Sequence, residues 1–208
     1  MEHPVICFEG PSGIGKTTMS NALSADYNIV PEVNLLFDRT GEEPKQWYLE
    51  RQVERYGICK AANAPSILDG DIFQPIWYNW VCNYPQAFLS KSETHSFYRD
   101  RLAEGTIKFP DLYIIFHVDE KELWIRKEND TTRRRRNFEK HLKIIEPLKE
   151  YYRFLDQETD IEMKFIHYTD LDKAKNEVLS AIENVSCSNI DGVRAFDQIE
   201  DWINTKIQ

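Results

Sequence analysis

The chain has 208 residues, of which 41% are hydrophobic and 29% charged, enough for one sizeable core and too apolar for a disordered segment. Its formal net charge of -9 argues against a nucleic-acid polymer as the main partner, because a phosphate backbone selects for a basic excess. A local basic cluster can still bind phosphate on an acidic protein.

Cys7, Cys59, Cys82 and Cys187 form neither a C-x-x-C pair nor a zinc spacing. They read as thiols of a reducing compartment, the cytoplasm. Met1 leads almost directly into an apolar run, so no signal peptide is expected. No apolar stretch approaches the ~20 residues that span a bilayer, and no membrane partner is expected.

Residues 4–9 (PVICFE) form a short apolar run that meets glycine, which predicts a buried strand. Residues 17–25 carry a helical rhythm, and residues 27–33 (YNIVPEV) predict a second strand. A helix is expected over 44–62, where Trp47, Leu49, Val53, Tyr56 and Cys59 recur mostly at three to four residues. Residues 66–69 (SILD) predict a third strand, and the aromatic run 73–88 a helix broken near Pro85. The β-branched and aromatic residues of 112–118 predict a fourth strand. Helices are expected over 121–127 and 137–155, on either side of a basic stretch from Arg126 to Arg136. Residues 163–168 predict a fifth strand, and 171–184 and 195–207 the closing helices. Strands alternating with helices predict an α/β fold: a five-stranded parallel sheet, helices on both faces and right-handed crossovers. With no internal repeat and no low-complexity linker, the expectation is a single domain over 1–208, with a helical lid at about 126–137.

Gly10-Pro11-Ser12-Gly13-Ile14-Gly15-Lys16-Thr17-Thr18 fits G-x-x-x-x-G-K-[ST], the phosphate-binding P-loop. Glycines let the backbone turn tightly and aim successive N–H groups at one phosphate. Gly10, Ser12, Gly13, Ile14 and Gly15 are therefore the expected cradle. Lys16 is expected to reach the β- and γ-phosphates, Thr17 to ligate Mg²⁺ and Thr18 to assist at a phosphate oxygen. The expected ligands are ATP and Mg²⁺. An ordinary glycine-rich turn is the bland alternative.

At this motif the chain resembles the P-loop nucleoside and nucleotide kinases, among them deoxynucleoside kinases, thymidylate kinases and enzymes like chloramphenicol phosphotransferase. Phe8-Glu9-Gly10 through Thr17 looks like their loop context. Ile29-Val30-Pro31-Glu32-Val33 is similar to the segment where deoxynucleoside kinases carry a glutamate base, and the basic stretch looks like their lid. The resemblance covers the order of elements over about residues 4–185 and implies the three-layer P-loop NTPase fold. It also implies transfer of a γ-phosphoryl group from ATP to a small acceptor, foremost a nucleoside or nucleotide. A kinase for another hydroxyl compound, such as an antibiotic, and a nucleotide-dependent regulatory ATP-binding protein are the other readings. No N-K-x-D guanine motif is present.

Glu32 is the candidate general base, weighed against a surface glutamate in a strand-end turn. Ser66-Ile67-Leu68-Asp69-Gly70-Asp71 closes the third strand with two carboxylates. Deoxynucleoside kinases have glutamate-arginine-serine here and thymidylate kinases aspartate-arginine, whereas this chain has Gly70. Asp69 is the candidate ligand of the Mg²⁺ water shell, and Asp71 is expected to face the acceptor. Arg126, Arg133 and Arg135, with their neighbours Arg134 and Arg136, are lid candidates that would spread charge over the transferring group. A solvated face or a nucleic-acid patch is the alternative. Gln52, Arg55, Asp71, Phe73 and Trp77 are the acceptor-site candidates, each aromatic weighed against a core role. The aromatic helices could form a homodimer face as easily as a pocket. The five histidines show no metal spacing and are assigned no role.

Overall fold

The computed structural model describes residues 2–82, 89–129, 138 and 142–206. Five strands form one parallel sheet in the order β2-β3-β1-β4-β5. They are β1 (Val5–Glu9), β2 (Asn28–Val30), β3 (Ser66–Asp69), β4 (Leu112–His117) and β5 (Met163–His167). Strand β1 lies at the centre, with Cys7 opposite Leu68 on one side and Tyr113 on the other. All five of its residues are buried, which is why its sequence runs apolar without alternation.

Successive side chains of a strand point to opposite faces, and this divides the core in two. On one face Ile6, Phe8, Ile114 and Phe116 pack with α1 (Lys16–Ala22), α6 (Glu120–Asn129) and α8 (Leu171–Ile182). On the other, Val5, Cys7, Tyr113 and Ile115 meet α3 (Trp47–Ala61), α4 (Gln74–Cys82), α5 (Lys91–Ala103), α7 (Ile145–Glu158) and α9 (Gly192–Lys206). A short helix, α2 (Val33–Leu36), follows β2. Helices therefore cover both faces of the sheet, as expected. Among the described residues no helix is long and apolar enough to cross a membrane.

Three elements differ from the sequence reading. Strand β2 stops at Val30, and Glu32 becomes the residue from which α2 starts, with Leu35 N donating to Glu32 O at 2.9 Å. Pro31 explains the break, since it brings no N–H to a strand ladder. The helix expected over 137–155 is interrupted by a turn at residues 143 and 144: residues 138 and 142 are helical, and α7 begins at Ile145. Pro147 cannot donate to the carbonyl of residue 143, but it is tolerated in a first turn. Helix α5 was not expected at all. Its start is fixed by a capping box, in which Glu93 N donates to Ser90 Oγ and Ser90 N to the Glu93 carboxylate.

Candidate active site

The loop from Gly10 to Gly15 joins β1 to α1 at the carboxyl end of the sheet. Two glycines are required by contact as well as by angle. Gly10 has φ 145°, and a Cβ there would lie 2.5 Å from Phe116 O. Gly15 has φ 109°, and its Cβ would lie 2.9 Å from the Tyr168 ring. The loop can therefore close tightly only without side chains at these points. The Ile14 side chain is fully buried and anchors the loop from below.

Lys16 folds back across this cradle. Its Nζ donates to Gly10 O at 2.7 Å and lies 3.6 Å from Glu9 Oε1. Glu9 is 3% exposed and ties the loop to β3, accepting from Gly10 N at 2.7 Å and from Asp71 N at 3.1 Å. Thr17 Oγ1 donates to Asp69 Oδ2 at 2.7 Å. The other oxygen of that carboxylate, Oδ1, is buried without a partner. Burial raises the Asp69 pKa, and Lys16 and the Thr17 hydroxyl oppose the rise. A hydroxyl and a carboxylate with one open lone-pair set suit a hard cation such as Mg²⁺. Among the described residues no group of three His, Cys, Asp or Glu could hold a metal alone. A cation here would complete its shell with phosphate and water oxygens, which is how Mg²⁺ is commonly held.

A cavity of about 910 Å³ opens from the loop toward α2, α3, α4 and the start of α7. Lys16, Thr17 and Thr18 line it, together with Glu32, Gln52, Arg55, Asp71 and Trp77. Gly70, at φ 93°, lies beside the Glu32 side chain, whose Cγ would sit 3.6 Å from a Cβ at that position. The ends of β2 and β3 thus bring Glu32 beside Gly70, the residue after Asp69.

Solved structures share this architecture. A thymidylate kinase from Candida albicans matches with a TM-score of 0.61 at 15% identity, over 91% of this chain and 97% of that one. A deoxyadenosine kinase from M. mycoides with bound dATP matches at 0.57 and 19%, over 86% and 100%. A thymidylate kinase from Ehrlichia chaffeensis matches at 0.52 and 18%, over 88% and 100%. The chain has the fold of the P-loop nucleoside and nucleotide kinases. No family model and no curated protein matches its sequence.

On this kinase fold the acceptor-site candidates separate. Trp77 is 2% exposed, lines the cavity and has an indole N–H without a partner. Phe73 does not reach the cavity. It is 1% exposed and stacked on Phe109 with centroids 4.3 Å apart, so it belongs to the core. Asp71 lines the cavity but is 1% exposed, accepting from Phe73 N and Tyr113 Oη at 3.0 Å each and from Tyr152 Oη at 3.2 Å. Burial pushes its pKa up to about 7, against the pull of these donors. Arg55, expected to present itself to the acceptor, donates chiefly to backbone carbonyls, and it also takes up the side-chain oxygen of Gln52.

The lid expectation is altered in the same way. Arg126 donates at 2.6 Å to Ile14 O and at 2.6 Å to Tyr168 O, with Glu122 at 2.9 Å. Its guanidinium ties α6 to the loop and to the end of β5, and so serves as an anchor where a free phosphate ligand was expected. Arg133, Arg134, Arg135 and Arg136 lie outside the described residues. Glu9, Tyr113 and Tyr152 went unread as site residues. Only Glu9 left a signal, as a lone carboxylate ending an apolar strand directly before the loop.

Proposed function

We propose that this chain is an ATP- and Mg²⁺-dependent phosphotransferase that moves a γ-phosphoryl group to a hydroxyl of a small acceptor, foremost a nucleoside or nucleotide. The observation that carries this reading is one shared cavity. Lys16, Thr17 and Glu32 line it together, and buried Asp69 joins them through its hydrogen bond from Thr17. The likeness in fold to a thymidylate kinase and a deoxyadenosine kinase supports it.

In this reading the loop amides hold the donor phosphates. Lys16 leaves the Gly10 carbonyl and spreads its charge over the β- and γ-oxygens. Thr17 and Asp69 hold the cation site. Mg²⁺, when bound, offsets the charge of the phosphate oxygens. Glu32 accepts the proton of the attacking hydroxyl as the new O–P bond forms and the bond to the ADP leaving group breaks. Catalysis then rests mainly on positioning and on charges set in advance.

A second reading keeps the chemistry and changes the acceptor. Gly70 follows Asp69 where the resembling kinases carry an arginine or its triplet, which favours a hydroxyl compound outside the nucleosides. ATP consumption with Mg²⁺ against nucleosides, nucleoside monophosphates and hydroxyl-bearing antibiotics tests both. Strong stimulation by one class is expected and decides between them. Tight ATP binding with no stimulation by any acceptor would turn the reading toward a regulatory nucleotide-binding protein.

A further inference from the structure

The pairing of β2 with β3 ends at Val30 opposite Leu68. Past that point one side chain links the two segments. Arg55 comes from α3 and is 1% exposed. Its Nε donates to Pro31 O at 2.8 Å, just before Glu32. Its Nη2 donates to Asp69 O at 2.9 Å and Gly70 O at 3.0 Å, with Val30 O at 3.4 Å. Its Nη1 donates to Gln52 Oε1 at 2.6 Å, which fixes the plane of the guanidinium from its own helix.

These carbonyls lie where the ladder between the two strands has ended, so Arg55 supplies donors that the sheet no longer can. Only arginine has the means to do so. Its five N–H groups lie in one rigid plane and reach two strand ends at once, whereas a lysine ammonium is a single point on a flexible stem. Three of the four carbonyls it holds belong to, or directly precede, a carboxylate residue of the site: Pro31 leads to Glu32, Asp69 is itself one, and Gly70 leads to Asp71.

We propose that Arg55 is a positioning residue: its guanidinium bridges the ends of β2 and β3 and so sets Glu32 against Asp69 for the transfer step. The proposal rests on the phosphotransferase reading above. The hydrogen bonds of Arg55 go to the ends of β2 and β3 and to Gln52, whereas the donor phosphates fall to the loop amides and Lys16, so donor binding and turnover should respond differently to its loss.

Steady-state kinetics of Arg55→Lys, alone and in a Glu32→Gln background, tests this. In the folded single variant kcat should fall about a hundredfold, as misplacement by about an ångström predicts. The KM for ATP should stay within about threefold. In the Glu32→Gln background the same change should cost far less, because the group it positions is already disabled. A purely structural role would lower the unfolding midpoint while leaving kcat of the folded enzyme within about twofold, or would give equal losses in both backgrounds, and either overturns the proposal. If Arg55→Lys does not fold, Gln52→Leu, which frees Nη1, should show the same split at about a tenth of the size. Unchanged kcat in that variant also overturns it. A wild type that transfers to no acceptor removes the phosphotransferase reading and this proposal together, whereas an active wild type with an unaffected Arg55→Lys removes the proposal alone.

Discussion

Glu32 carries the largest single consequence of the proposed chemistry. It lines the same cavity as Lys16 and sits at the turn from β2 into α2. Glu32→Gln keeps its size and hydrogen-bonding capacity but cannot accept a proton. We expect kcat to fall about 10²–10⁴-fold, the usual worth of a general base. ATP affinity, measured by titration calorimetry, should change little. A fall in ATP affinity with kcat intact would remove Glu32 from that role. Asp71 has a different signature. Its pKa of about 7 in the fold lies above the ordinary carboxylate value, so its contribution to stability is full at low pH and is lost as pH rises toward and through 7. Denaturant unfolding of the wild type across this range should show a fall in stability that is reduced in Asp71→Asn. A flat difference between the two would mean that Asp71 does not titrate there. At this scale the P-loop was legible because all its residues are contiguous. The Asp71 network was not, because Tyr152 lies 81 residues away and reaches Asp71 only once α7 packs on the sheet. Arg55 was legible as a site residue but not in its use, since neither spacing nor composition reveals which carbonyls a buried arginine will find.

At the scale of elements, the strands were read well and the helices less so. Strands β3 and β4 are short, apolar and fully or nearly fully buried, and a parallel sheet writes that pattern plainly. Helix α5 hid because its buried side includes Thr94 and His95 beside Tyr98 and Leu102, so no apolar stripe marks it. The S-x-x-E start signal at Ser90 was nonetheless present in the sequence. Ser90→Ala should lower stability by about 1 kcal/mol, the typical worth of such a cap. Urea unfolding should show this without a change in kcat, because α5 packs on α4 and α9 on the sheet face away from α1. An unchanged midpoint would mean that the α5–α9 packing alone holds the helix start. Pro147 set the start of α7 for a reason visible in the sequence but outweighed there by the long helical rhythm on either side.

At the scale of the molecule, β1 and β4 are neighbours whose outgoing connections run in opposite directions, from β1 toward β2 and from β4 toward β5. Such a switch point opens a crevice, and the P-loop lies in it. This part of the architecture was legible, since alternating strands and helices admit few topologies. The acceptor was not, because its cavity draws on α2, α3, α4 and α7, whose side chains come together only in the folded sheet. The central claim is that this crevice transfers a phosphoryl group by means of Lys16. Phosphorus NMR of ATP and Mg²⁺ with the acceptor panel, wild type beside Lys16→Ala, tests it most directly. The account predicts a new phosphoester signal with one acceptor class in the wild type, and none in a Lys16→Ala protein that retains its fold. Inorganic phosphate alone with every acceptor, or equal phosphoester formation by Lys16→Ala, would contradict it.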